Sequence, residues 1–242
     1  MDLASVMPYP GRVIIIGASP AADRVIVAYA ITGRSPSSQA RRLTFEGSAV
    51  WTEPLDEAAL KKGNAELLIY RAMAIDRLIA VSNGRQTDDI AKALKQAGEG
   101  EKPDILLSRS LNGWTYEPDS PHFTPRISGC VLAGGTAGLA IIKRGDDGRR
   151  LDSYFAWPVE PGQGKMIATY AGREETPLPA FPGKPVEVGL ASSAAEETAE
   201  AVYKALRAQD ASKDYRVAVA CISALRTNLR NYDVHIINRR EG

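Results

Sequence analysis

The chain has 242 residues, 44% hydrophobic and 24% charged, so it can bury a substantial core, and a single domain over 1–242 is favoured over two small ones. A net charge of +1 gives no global attraction for nucleic acid or acidic membranes. Any anion site must then come from local clusters of arginine, and a small-molecule partner is expected.

In chain order, a tail over residues 1–8 leads into apolar strand-length runs at 13–16 and 25–31, separated by Gly17-Ala18-Ser19-Pro20. Residues 56–62 suit a short helix, and further strand-length runs follow at 67–70 and 78–81. From 89 to 98, Ile90, Ala93, Leu94 and Ala97 share one helical face, and Gly98 suits the helix end. Runs at 105–107, 127–132 and 139–142 read as strands, with Gly134-Gly135 as a hairpin turn and Gly145-Asp146-Asp147-Gly148 as a second turn signal. The segment 171–185, with Pro177, Pro179, Pro182 and Pro185, cannot hold a regular ladder and must run over the surface or cover an opening as a lid. A helix over 193–209 carries Ala195, Ala199, Val202 and Leu206 on one stripe, with Ser193 and Glu196 at capping-box spacing, before a last strand-length run at 217–222. Many strands and few helices predict an α+β layered architecture with two stacked, mainly antiparallel sheets.

The start lacks the basic region and long apolar core of a signal peptide, and no apolar run reaches transmembrane length, so a soluble protein is expected. Cys130 and Cys221 lie far apart in apolar runs and read as buried reduced thiols in a cytoplasmic setting. With His122 and His235 also scattered, no metal-ligand set is visible.

Three blocks gather the polar chemistry. In 81–90, Asn83-Gly84 reads as a tight turn or as a ligand-facing corner, since Thr87, Asp88 and Asp89 crowd the start of the following helix. The Asn83 amide, both donor and acceptor, suits a carboxamide, and at least one of the acids is structural. Tyr9-Pro10-Gly11-Arg12 and Gly33-Arg34-Ser35-Pro36-Ser37-Ser38 place Arg12, Arg34, Arg41 and Arg42 near turns where guanidinium groups and hydroxyls can converge on a phosphate. Tyr116-Glu117-Pro118-Asp119, followed by Thr124-Pro125-Arg126, sets two carboxylates and an arginine in an irregular loop. Taken singly, each of these is as readily a surface arginine or a loop acid.

In order and spacing, these blocks, with Ala28-Tyr29 and Tyr70, resemble the IMP cyclohydrolase family of the archaeal type. The resemblance implies a four-layer αββα sandwich similar to the N-terminal-nucleophile hydrolases, without a terminal nucleophile. It implies closure of 5-formamidoimidazole-4-carboxamide ribotide (FAICAR) to IMP with loss of water, needing no cofactor and no metal. Tyr70, Glu117 and Arg41 are the implied catalytic residues, with Arg12, Arg34, Ser35, Asn83, Thr87, Asp88, Asp119 and Arg126 around the nucleotide. Where relatives often read Arg-Ser-x-x-Ser-Arg-Asn-Arg, this chain has Gln39-Ala40 before Arg41, so a charge and an amide are missing. That departure keeps open a non-catalytic purine-nucleotide-binding protein on the same scaffold. An amide hydrolase of the N-terminal-nucleophile class would need cleavage before a Ser, Thr or Cys. The partner is a purine nucleotide, with no nucleic acid or membrane, and a homo-oligomer is left open.

Overall fold

The computed structural model describes residues 7–55, 68–98, 100–173 and 175–240. The expected helix at 56–62 lies outside the described residues. Val- and Ile-rich runs form two antiparallel sheets. One sheet has the order β11-β10-β1-β2-β12-β13, from β1 (Arg12–Ala18), β2 (Arg24–Thr32), β10 (Gln163–Ala168), β11 (Val186–Gly189), β12 (Arg216–Leu225) and β13 (Asn228–Asn238). The other runs β3 (Arg41–Glu46), β4 (Ala49–Pro54), β5 (Arg71–Ile75), β6 (Ile79–Ser82), β7 (Arg126–Leu132), β8 (Thr136–Arg144) and β9 (Arg150–Pro158) in chain order.

Successive strand residues point to opposite faces, so an unbroken apolar strand is covered on both sides. β1 is buried at every position, and its Ile16 reaches Gly129 of β7, where a Cβ would sit 2.7 Å from the Ile16 Cδ1. A glycine at 129 therefore lets the sheets approach closely, and Val81, Leu139 and Ile14 join the same core. At one edge the sheets are stitched by an amide: Leu43 N donates to Asn238 Oδ1 (2.8 Å) and Asn238 Nδ2 donates to Leu43 O (3.0 Å). That stitch fixes β3, the strand opened by Arg41.

Four helices accompany the sheets among the described residues: α1 (Pro36–Gln39), α2 (Gln86–Lys95), α3 (Pro103–Ser110) and α4 (Ala195–Ala205). Ile90 and Leu94 of α2 and Leu106 and Leu107 of α3 share a second core with Ala80, Cys130 and Ile142 of the seven-stranded sheet. The α4 stripe of Ala195, Ala199 and Val202 is buried and packs against β2, β12 and β13.

Several local expectations are corrected. Residues 105–107 belong to α3, not to a strand: Leu106 and Leu107 are buried while Ile105 is 54% exposed, a helical distribution that three residues of sequence cannot reveal. Leu68, Ile69 and Tyr70 precede β5 and are not a strand, because the Thr52 side chain takes over the ladder there: Tyr70 N donates to Thr52 Oγ1 (2.8 Å), which donates to Leu68 O (2.9 Å). Helix α2 starts at Gln86 and ends at Lys95, so Thr87, Asp88 and Asp89 lie inside its first turn, and Gly98 falls beyond its end. The capping box at Ser193 and Glu196 is not made, since α4 starts after Ala194 without a side-chain cap and ends at Ala205. Within the proline-rich stretch, Leu178 and Phe181 are buried and Phe181 N donates to Thr169 O. Both cysteines are buried and free, and burial pushes the Cys221 thiol up to about 12.

Candidate active site

Strand starts deliver the cations. Gly11, with φ +73°, turns the chain into β1; a Cβ there would meet Thr169 Oγ1 at 2.1 Å. Arg12 N donates to Thr169 Oγ1 (3.1 Å), and Thr32 Oγ1 donates to Gly11 O (2.8 Å), so the Arg12 backbone is fixed on both sides. Arg41 opens β3 at 1% exposure; its Nε donates to Ser38 O (3.0 Å), while Nη1 and Nη2 have no hydrogen-bond partner among the described residues. Arg12 Nε is likewise unpartnered.

Two tyrosines share the electrostatic surroundings of these arginines. Tyr29, wholly buried in the middle of β2, has its hydroxyl 2.6 Å from that of Tyr70. Burial pushes the Tyr29 phenol well up, Tyr70 adds to the rise, and Arg12 and Arg41 oppose it. Burial works against the charge of Arg12, but Tyr70, Glu117, Tyr29 and Tyr9 outweigh it and hold this guanidinium well above its usual range. Arg41 is pushed down, first by burial and then by the like charge of Arg12.

Glu117 approaches from the loop between α3 and β7 at 2% exposure, and burial raises its carboxyl to about 7 against the pull of Arg12 and Arg126. Glu117 N donates to Thr124 O (2.9 Å). Asp119 steadies the same loop by accepting from Thr124 N (2.6 Å) and from the Thr124 hydroxyl. Arg126 Nη1 stands 3.8 Å from Glu117 Oε1 and donates to Gln86 Oε1 (3.1 Å). Its guanidinium also covers the Trp114 ring at 4.8 Å.

Asn83 ties this corner together. Its Oδ1 accepts from Ile127 N (2.8 Å) and Gln86 Nε2 (3.1 Å), and its Nδ2 donates to Pro125 O (2.9 Å), with Glu117 Oε1 at 3.5 Å. The amide is thus directed at the protein. Thr87 is buried and bonded to the Ser82 hydroxyl and to Gly84 O.

Two clefts meet at Glu117. One, of about 290 Å³, is bordered by Tyr9, Arg12, Arg34, the serines of 35–38, Asp119, His122 and Tyr170. The other, of about 300 Å³, is bordered by Gly84, Asp88, Asp89, Trp114 and Arg126. Each is at the small end of the range for small-molecule sites. Arg34 lies over the Tyr9 ring at 4.7 Å. Ser35 faces the cleft but also caps α1 by accepting from Ser38 N. His122 Nδ1 accepts from Leu178 N (3.1 Å), which fastens the proline-rich segment to the cleft wall.

Of the residues singled out in the sequence, Arg12, Arg41, Tyr70, Glu117 and Arg126 thus share one electrostatic neighbourhood, and Arg34, Ser35 and Asp119 border the first cleft. Asp88 stands apart at the second cleft, paired with Arg71 (2.5 Å). Residues that the sequence reading did not select are Tyr29, Gln86, Thr124, Tyr170 and His122. Tyr29 carried a signal, because a tyrosine inside a wholly apolar strand needs a partner for its hydroxyl. Among the described residues, no group of three or more His, Cys, Asp or Glu is placed to hold a metal ion, and no helix is long and apolar enough to cross a membrane.

Fold and site define an α+β protein with mostly antiparallel sheets and a buried cluster of arginines, tyrosine hydroxyls and one carboxyl, of which Arg12, Arg126 and Glu117 border the two clefts. The sequence matches the family described as IMP cyclohydrolase-like protein over residues 9–227, and the chain belongs to that family. A search of the curated proteins returned no match.

Proposed function

We propose that the protein closes FAICAR to IMP with loss of water, as a cytoplasmic member of the archaeal type of this family with the four-layer αββα arrangement of N-terminal-nucleophile hydrolases. The observation that carries the reading is the meeting of Arg12, Arg41, Tyr29, Tyr70 and Glu117 in one buried neighbourhood.

The substrate holds both reacting groups, a carboxamide nitrogen and a formyl carbon on adjacent ring positions, so orientation to about 3 Å removes much of the barrier. Arg34 and the serines beside it suit the ribotide phosphate at the cleft mouth. As the carboxamide nitrogen adds to the formyl carbon, it gives a proton to Glu117, and the formyl oxygen becomes an alkoxide held by the Tyr70 hydroxyl and the Arg12 and Arg41 charges. In the second half, that oxygen takes the proton held by Glu117 and the one from the former formamide nitrogen. It leaves as water while the ring carbon–nitrogen double bond forms. A carboxyl near 7 can both take and return a proton at neutral pH.

The test is to incubate the purified protein with FAICAR and follow IMP absorbance. Glu117→Gln and Tyr70→Phe should each lower turnover by about 10²-fold or more with folding intact. Wild-type rates in both would refute the assignment. A second reading, a non-catalytic purine-nucleotide-binding protein, draws on the departure at 39–40: Gln39 Nε2 donates to Gly33 O (3.1 Å), inside its own turn. Tight binding of IMP without any product from FAICAR would favour it.

A further inference from the structure

A third hollow, of about 320 Å³, lies between α2 and the β5–β6 hairpin, away from Glu117. Ala74, Leu78, Ala91 and Leu94 give it an apolar floor, of which Ala74 and Leu94 are buried. Around the rim stand four cations, Arg71, Arg77, Lys92 and Lys95, against two carboxylates. Both carboxylates are already engaged: Asp76 accepts from Arg230 Nε (2.9 Å) and Asp88 pairs with Arg71 (2.5 Å). The Arg77 backbone N–H hydrogen-bonds to Asp76 and its charge adds a further pull, while Arg77, Lys92 and Lys95 form no ion pair among the described residues. Arg71 adds a buried Nε with no acceptor among the described residues. A hollow with an apolar floor and an uncancelled cationic rim recognises a flat ring joined to an anion, because neither half alone meets both surfaces.

We propose that this hollow is a second ligand site, for an aromatic or heteroaromatic phosphate ester such as a nucleotide. The ring lies on Ala74, Leu78, Ala91 and Leu94, and the phosphate lies toward Arg77, Lys92 and Lys95. Two residues adjoin the first site: Arg71 directly follows Tyr70, and Asp88 borders both this hollow and the cleft at Glu117. Binding here is independent of the ring-closure reading, since Arg77, Lys92 and Lys95 border neither cleft at Glu117.

The test uses phenyl phosphate, with inorganic phosphate and phenol as its separate halves, titrated into ¹⁵N-labelled protein. Phenyl phosphate should shift the amides of residues 71–78 and 88–95, bind about tenfold or more tighter than either half, and weaken as salt is raised. The variant R77E/K92E/K95E should lose that binding about tenfold or more, and the milder K92Q/K95Q should lose a smaller part if the triple variant does not fold. No shift at these amides, equal binding of inorganic phosphate alone, or full affinity in a folded charge-changed variant would each overturn the proposal.

Discussion

Glu117 offers the sharpest test of the site's electrostatics, because its behaviour is separable from any assumption about substrate. The carboxyl is 2% exposed, and burial raises it from 4.5 to about 7 although Arg12 and Arg126 pull the other way. A group that holds its proton more tightly when folded contributes stability that is complete below the unfolded value of 4.5, declines as pH rises, and is lost above about 7. The difference corresponds to about 3 kcal/mol. Glu117→Gln keeps the shape and removes the titration. Urea unfolding of wild type and variant at about pH 4 and about pH 8 should therefore show the wild type losing about 3 kcal/mol relative to the variant as pH rises. Other titrating groups cancel in this comparison. Carboxyl-carbon NMR of Glu117 should report a midpoint near 7. A stability difference that stays flat between the two pH values would refute the reasoning, because an ionised Glu117 would then be as well tolerated in the folded protein as in water.

Tyr29→Phe leaves the Tyr70 hydroxyl without its 2.6 Å partner in a buried site and should cost about 1–3 kcal/mol in denaturant unfolding. It should also lower kcat for ring closure about tenfold with KM little changed, since Tyr29 acts through the orientation of Tyr70; unaltered values of both kcat and stability would remove Tyr29 from the site. Arg41→Met removes a buried cation whose Nη atoms have no hydrogen-bond partner among the described residues, so thermal unfolding should show equal or higher stability while affinity for IMP by calorimetry falls about tenfold or more. Gly11→Ala places a Cβ against Thr169 Oγ1 at a backbone φ of +73° and should destabilise the fold by about 2 kcal/mol or more, read as a lowered melting temperature.

What could be read in the chain followed from how evenly each element is buried. β1 and β2 are covered on both faces, so their unbroken Val and Ile runs announced them. β9 and β13 alternate half-buried and exposed residues and carry Arg150, Asp152, Arg230 and Asp233, which diluted the apolar signal on which the sequence reading relied. The run at 105–107 was too short to show a period, and Pro103 in the first helical turn was the better guide. The site divided in the same way. Arginines beside turns and the acids of the 117–119 loop stood out as types, but their partners are long-range: the Tyr29 and Tyr70 hydroxyls meet across 41 positions, and Asn83 reaches Ile127 across 44. Side chains whose role is set by such pairings, as in the inward-turned Asn83 amide, cannot be assigned from spacing along one strand.

The partners of the arginines explain why this corner suits the anionic substrate proposed for it. Arg216 is held by Asp214 at 2.7 Å and Arg24 by Asp233 at 2.6 Å, so their charges are cancelled locally. Arg12 and Arg41 instead face tyrosine hydroxyls, with Glu117 held near neutrality by burial. Neutral hydroxyls leave a guanidinium's field uncancelled, and in a water-poor surrounding that field acts strongly on charge that develops during reaction. Burying two like charges in one neighbourhood is unfavourable for folding, and Arg41 is pushed down by burial and then by the charge of Arg12. The fold bears that cost by anchoring each arginine at the first residue of a strand, with the Arg12 backbone locked by Thr169 and β3 stitched to β13 through Asn238. A cation pair fixed in this way, with Glu117 as a carboxyl that burial holds near 7 beside it, would find its remaining electrostatic complement in a nucleotide phosphate or a transient alkoxide rather than in a neutral substrate.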